Sequence, residues 1–278
     1  MLGKAKSNEL LGLTAHWTAS VRAREGERED HLFHDPWAAS LAGPEGMAWI
    51  EQRTEESVIP IVIRTRYFDD FLQRITHQQK IRQVVLMAAG LDTRAFRLNW
   101  PEQTRFFELD QPAVLAYKNR LILSAGGQTD CERQTIDADL AVSWRDALLK
   151  SGFDSQASSV WLLEGFLFYL PNENITQILN GVTSLAAKGS WLGFDIINSV
   201  MLTSAMTRKW IDMQAAAGAP WIGTMDDPVA FLAAQGWEAN LTQAGAEDAN
   251  YGRWPFPNYP TIMPNMPHNW YVTAQKVI

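Results

Sequence analysis

The segment Gln83-Val-Val-Leu-Met-Ala-Ala-Gly-Leu-Asp-Thr-Arg94 narrows the folds open to this chain more than any other. Val84 to Met87 is an unbroken apolar run, as expected of a strand buried on both faces of a parallel sheet. It breaks at Ala88, Ala89 and Gly90, and Asp92-Thr93 then supplies side-chain oxygens suited to starting a helix. A second strand, Arg105-Phe-Phe-Glu-Leu-Asp110, ends on a carboxylate twenty positions after Gly90. Strand, tight turn, helix and acid-tipped strand make the nucleotide-binding half of a Rossmann-like unit, in which the acid reaches a ribose hydroxyl.

The turn itself discriminates between nucleotides. A dinucleotide sets its pyrophosphate against the helix N-terminus, which favours a full G-x-G-x-x-G and no nearby anion. Here Ala88-Ala-Gly90-Leu-Asp-Thr93 carries one glycine, and a carboxylate stands where the phosphates would lie. A ligand without phosphates and with positive charge suits the loop better. S-adenosylmethionine, with its ribose, ammonium and sulfonium, answers that description. The plain alternative is a buried strand and a capped helix that bind nothing.

With 278 residues, 46% apolar and 20% charged, the chain can bury a sizeable core as one large domain or a domain with an elaborated cap. A net charge of −7 and the absence of a Lys/Arg-rich run argue against nucleic acid or an anionic membrane as partner. A lone cysteine, Cys131, fits a reducing cytoplasm. No export signal and no apolar stretch of about 18 residues is visible, so a cytoplasmic location is expected.

Residues 1–80 read as a polar helical cap, with loops at Gly43-Pro-Glu-Gly46 and near Pro60, and residues 81–278 as the core. From Arg82 onward short apolar runs alternate with helical patterns, which implies βαβ units. Strands are expected at 133–137, 159–164 and 190–197 beyond the first two, with helices at 112–124, 139–150 and 172–187 between them. Helical stretches over 200–217 and 226–235 precede two final strands, 237–242 and 270–276, joined by a long loop without a helix. The expected class is therefore α/β: a Rossmann-like, seven-stranded, mostly parallel sheet with the last strand antiparallel, as in class I methyltransferases, plus the N-terminal helical cap.

Several separate motifs are similar to those of the S-adenosylmethionine-dependent methyltransferases related to leucine carboxyl methyltransferase, whose bacterial members include polyketide O-methyltransferases. They are Leu13-Thr-Ala15, Phe33-His-Asp-Pro-Trp37, Arg64-Thr-Arg-Tyr-Phe-Asp-Asp70, Ala89-Gly-Leu-Asp-Thr-Arg94, Phe107-Glu-Leu-Asp-Gln-Pro112 and Leu163-Glu-Gly-Phe-Leu-Phe-Tyr-Leu170. The resemblance spans roughly residues 10–275. It departs at Ala88, where the family usually has glycine, and a methyl there would crowd the cofactor's methionine portion.

The resemblance implies S-adenosylmethionine as cofactor, S-adenosylhomocysteine as its product, and no metal. It places the carboxylate-binding arginine in the segment of Arg64 and Arg66, with a slight preference for Arg66; a guanidinium fork suits a carboxylate. Ala89 and Gly90 would lie against the methionine portion, Asp110 would accept from the ribose hydroxyls, and Gln111 would line the adenosine. Asp139 and Leu140 resemble the family's adenine-contacting pair, with Asp137 a rival for the carboxylate role. Glu164 would face the cofactor's ammonium. Each acid has an ordinary alternative as a helix cap.

Other chemistries find little footing. His31 and His34 lack a third ligand at metal-site spacing, and neither a nucleophile elbow nor a phosphate-cradling Gly-Lys loop occurs. The loop from Tyr251 to Pro267, with Trp254, Phe256 and Tyr259, is a candidate acceptor wall, with Trp17, Trp37 and Trp49 candidates for the opposite side. The expected partner is a small-molecule acceptor carrying a carboxylate or a hydroxyl. A carboxylate is favoured because it needs no general base and no His–acid pair presents itself. A nicotinamide-dependent oxidoreductase and a non-catalytic cofactor-binding protein are the alternatives.

Overall fold

The computed structural model describes the backbone of residues 2–261 and 263–278 and the side chains of those from Thr14 onward, so the Leu13 end of the first motif lies outside the described side chains. Three helices come first: α1 (Leu2–Gly26), α2 (Ala38–Glu51) and α3 (Glu55–Gln78). There follow β1 (Gln83–Met87), α4 (Arg94–Arg97), β2 (Arg105–Asp110), α5 (Pro112–Ser124), β3 (Glu132–Asp137) and α6 (Arg145–Lys150). Next come β4 (Ser159–Leu163), α7 (Asn172–Leu185), β5 (Trp191–Ile197), α8 (Ser199–Thr203), α9 (Arg208–Ala216) and α10 (Pro228–Ala233). β6 (Trp237–Gln243) and β7 (Asn269–Lys276) complete one seven-stranded sheet in the order β3-β2-β1-β4-β5-β7-β6. β1 to β5 pair in parallel, and β7 inserts antiparallel between β5 and β6, as the two final strands without a helix between them require.

The apolar runs are continuous because both faces of the sheet are covered. Val84 and Leu86 of β1, Phe106 of β2 and Val160 and Leu162 of β4 pack with Ile63, Phe68, Phe71, Leu72 and Ile75 of α3. The alternate residues Val85, Met87, Phe107, Leu109, Trp161 and Leu163 pack on the opposite face with Leu148 of α6 and Ile175, Ile178, Leu179 and Val182 of α7. The period of two in side-chain direction assigns each strand residue to its layer. Each fully buried large side chain contributes about 1.5–3 kcal/mol. Among the described residues no helix is long and apolar enough to cross a membrane.

Five expectations change. The helix expected over 139–150 shortens to α6 (Arg145–Lys150), and Asp139 and Ser143 instead form an isolated antiparallel bridge. Pro60 lies inside α3 rather than in a loop: Thr54 caps the helix by accepting from the Ser57 N–H, and Tyr271 donates its hydroxyl to the Pro60 carbonyl. At Gly43 the backbone leaves helical geometry (φ +61°), yet helical turns resume directly, so a kink replaces the expected loop. The stretch expected as one helix over 200–217 divides into α8 and α9. The first crossover helix, α4, has a single turn, and Thr93 does not cap it; its hydroxyl donates to Asp35 at 2.6 Å instead.

Candidate cofactor and acceptor site

At the carboxyl ends of β1, β2 and β4, where open α/β sheets bind ligands, lies a cavity of about 750 Å³. Ala88, Ala89, Gly90, Asp110, Gln111, Asp139, Leu140, Arg64 and Glu164 all line it. The loop after β1 is shaped by its acids. Asp110 Oδ2 accepts from the Gly90 N–H and Oδ1 from the Gln111 N–H, both at 2.6 Å, which ties the tip of β2 to the turn after β1. Burial pushes the Asp110 carboxyl above its ordinary value, while these two N–H donors and Lys118 act against that. Ala88 adopts φ +52° and Gly90 φ +47°, both in the left-handed region. The family glycine that Ala88 replaces would fit there without strain, so the methyl acts on the backbone as well as on the cavity.

Asp92 occupies the start of α4: its Oδ1 accepts from the Arg94 N–H at 2.7 Å and its Oδ2 from Arg94 Nη1 at 2.5 Å. The donor a phosphate would need is thereby taken. With Asp92, Asp110, Asp139 and Glu164 on the lining, the acceptor set suits a cationic, phosphate-free nucleoside.

Arg64 and Arg66, two residues apart on α3, point to different places. Arg64 is buried and lines the cavity; its Nε donates to Glu164 Oε1 at 3.0 Å and its Nη1 to Asp195 Oδ2 at 2.9 Å. Burial works against the Arg64 charge, but Asp195 and Glu164 more than reverse this and raise its pKa. Its Nη2 runs past Gly165, where a Cβ would come within 2.9 Å of it and where φ is +65°. Arg66, the slightly preferred candidate, does not line the cavity. Its Nε–H is shared between both oxygens of Asp70 at 2.9 and 3.0 Å, its Nη1 donates to the Leu32 carbonyl, and it lies over the Tyr251 ring. A helix turns about 100° per residue, so positions two apart cannot share a face. Asp137 likewise is exposed and off the cavity, whereas Asp139 lines it and holds the Ala141 N–H at 3.0 Å.

Behind the lining lies a buried network that sequence reasoning missed. Arg94, 1% exposed, reaches Asp69 (2.6 Å), Asp92, the Thr65 carbonyl (3.1 Å) and Glu164 Oε2; the last lies 2.7 Å away but out of line for a hydrogen bond. Arg97 grips both oxygens of Asp69 at 2.6 Å. Asp195 on β5, fully buried, also accepts from the Gly165 N–H at 2.6 Å. A charged residue inside the apolar run Trp191-Leu-Gly-Phe-Asp-Ile-Ile197 was the available signal. The network gives Phe33-His-Asp-Pro-Trp37 its purpose: Asp35 accepts from Arg22 Nε at 2.9 Å, and Arg22 donates to the Leu91 carbonyl at 2.6 Å, fastening α1 to the loop.

Much of the rest of the cavity is aromatic. Trp254, Phe256 and Tyr259 line one part, and Trp17 and Trp49, stacked at 5.2 Å with planes 8° apart, line another. Trp37 is absent from the lining; it packs on Phe96. Phe166, Phe168, Trp210 and Trp221 add further apolar surface.

Comparison with known proteins agrees with this geometry. The family model described as leucine carboxyl methyltransferase matches residues 15–183. A Streptomyces coelicolor relative bearing the name "putative S-adenosyl-L-methionine-dependent methyltransferase" is 37% identical over 258 residues, covering 86% of this chain and 87% of its own. One from Mycolicibacterium vanbaalenii with the same description is 32% identical over 269 residues, covering 87% and 88%. In fold the chain is similar to a Thermobifida fusca structure titled "putative methyltransferase" (TM-score 0.58, 16% identity, 94% of each chain covered) and to a Streptomyces avermitilis structure (0.56, 13%, 93% and 96%). The nicotinamide alternative falls with these findings: the chain belongs to the leucine carboxyl methyltransferase family of S-adenosylmethionine-dependent methyltransferases.

Proposed function

We propose that this enzyme methylates an oxygen of a small molecule, a carboxylate in preference to a hydroxyl. The observation that carries the proposal is the single cavity joining an acid-lined nucleoside end to an aromatic end. In this reading Asp110 accepts from the ribose hydroxyls, with Gln111 beside it. Leu140 packs the adenine and Asp139 takes its amine, Ala89 and Gly90 lie along the methionine portion, Glu164 faces the ammonium and Arg64 the carboxylate. When bound, S-adenosylmethionine supplies a methyl on a sulfonium; an acceptor lone pair forms the new C–O bond as the C–S pair withdraws to sulfur, leaving S-adenosylhomocysteine.

The residues' part is to position and to exclude water. Holding the acceptor oxygen in line supplies much of the acceleration in such a displacement. The lining offers little to take a proton from a hydroxyl. Burial pushes the phenols of Tyr169 and Tyr271 up, so both are donors at neutral pH. Both ring nitrogens of His268 face carbonyl oxygens, of Gln243 (2.9 Å) and Met263 (3.2 Å). A carboxylate, ionised at neutral pH, needs no base.

Calorimetric titration with S-adenosylmethionine, S-adenosylhomocysteine and NAD, on the wild type and Asp110→Ala, tests the cofactor assignment. Both sulfur ligands should bind and the variant should lose them. A carboxylic-acid panel should then yield S-adenosylhomocysteine and alkali-labile methyl. Alkali-stable product would reject the ester form, and cofactor binding with no turnover on any acceptor would favour the non-catalytic alternative.

A further inference from the structure

The cavity extends well beyond a nucleoside site, and it extends along α3. Arg64 and Thr65, Pro60 and Ile61, and Glu56 and Ser57 all line it, a spacing that puts one face of the helix along the wall. Just before the helix starts, Arg53 lines it too. Glu55, the first residue of α3, lies nine residues or roughly 14 Å of helical rise before Arg64, and Arg53 precedes it, so the Arg53 backbone stands at the far end of the helix segment from Arg64.

Arg53 differs from the other guanidiniums on the lining. Arg22 is neutralised by Asp35, and Arg64 by Glu164 and Asp195. Arg53 has no acidic group within 4.0 Å among the described residues, although the exposed Glu56 lines the same end, and its Nε is buried without a hydrogen-bond partner. Its guanidinium lies 4.7 Å from the Trp49 ring centre, and Trp49 in turn stacks on Trp17. A second cation backs it: Arg24 donates from Nη1 to the Ile50 and Arg53 carbonyls at 3.2 and 3.0 Å, and its Nη2 is also buried and unpartnered. Glu55, the other nearby acid, pairs with Arg28 at 3.2 Å. An unpartnered buried guanidinium carries a standing desolvation cost, which an anion in the cavity beside Arg53 would relieve.

We propose that the acceptor is an elongated apolar or aromatic molecule with an anionic group at its far end, and that Arg53 binds that anion against the Trp17–Trp49 pair. This anion is not the oxygen methylated, because it lies at the end of α3 opposite to Arg64. The inference rests on the methyl-transfer reading for its orientation, yet its test does not depend on turnover.

The test is calorimetric titration of full-length protein saturated with S-adenosylhomocysteine. The probes are dodecanedioic acid, dodecanoic acid and dodecylamine, which share one apolar body and differ in end charge. Both acids should bind in preference to the amine. Arg53→Gln should weaken both acids by about tenfold to a hundredfold, the range for a lost charge-assisted pair. Arg53→Lys should recover part of this, while in Arg53→Gln amine affinity does not fall and S-adenosylhomocysteine affinity stays at the wild-type value. Equal binding of acid and amine, no saturable acid binding, or acid affinity unchanged in Arg53→Gln would each overturn the assignment. Acid binding that depends on Arg53 in a protein unable to methylate any acid or hydroxyl acceptor would instead sink the methyl-transfer reading alone.

Discussion

Ala88 offers a test in which strain and ligand contact separate. At φ +52° this residue sits where an L-side chain costs roughly 1–2 kcal/mol. Ala88→Gly removes that cost but loosens the unfolded chain, which gives back roughly 0.5–1 kcal/mol. The net expectation, at the midpoint of the two ranges, is a variant more stable by about 0.75 kcal/mol, which for a chain of this size raises the melting temperature by about 2–3 °C. Urea unfolding gives the free energy, a thermal scan the shift, and calorimetric titration with S-adenosylhomocysteine the contact. Ala88 also lines the cavity. A rise in affinity alongside stability would show that the methyl crowds the methionine portion; a rise in stability alone would show that the methyl is irrelevant to binding. A variant no more stable than the wild type would refute the strain argument.

Asp110→Ala should weaken S-adenosylhomocysteine binding at least about tenfold, by loss of charged acceptors for the ribose. Because burial raises the Asp110 pKa, wild-type affinity should already fall as pH is lowered through values above 3.8, where an ordinary aspartate is still ionised; titrations over a pH series check the sign. Arg66→Ala, which removes a half-exposed pair, should leave S-adenosylhomocysteine affinity at the wild-type value and cost less than about 1 kcal/mol; a large affinity loss would return the carboxylate role to Arg66. Arg94→Met strands Asp92 and takes one cation from Asp69 and Glu164, which keep Arg97 and Arg64, and should cost about 3–5 kcal/mol in urea unfolding. Burial alone would raise the Asp92 carboxyl, but Arg94, Arg97, Arg22 and Lys118 together hold it below 3.8. Its stabilising contribution is therefore present above pH 3.8 and lost below it, and Arg94→Met should move the acid-unfolding midpoint upward. Gly165→Ala, at φ +65° and against Arg64 Nη2, should cost at least about 1–2 kcal/mol and weaken S-adenosylhomocysteine binding; unchanged affinity would show that Arg64 does not need this passage.

What the sequence settled by itself was whatever depends on local pattern. The run from Val84 to Met87, the single glycine at position 90 and the acid at 110 fix a strand, a turn and a second strand, because burial on both faces demands continuous apolar residues. The two final strands with no helix between them dictate an antiparallel pair. The place of Asp110, Asp139 and Glu164 on the cavity lining was legible because each follows or ends a strand at the carboxyl edge of the sheet. Tertiary structure decided everything that turns on direction and on partners distant in the chain. Arg64 and Arg66 look equivalent in a row of letters, and only the packing of α3 on the sheet sends one to Glu164 and Asp195 and the other to Asp70. Thr93 reads as a helix cap until Asp35, 58 positions earlier, is found at its hydroxyl. Arg53 carries no motif; it stands out because Arg22 and Arg64 on the same lining are paired with acids and it is not, and that is a property of the folded surroundings rather than of the residue.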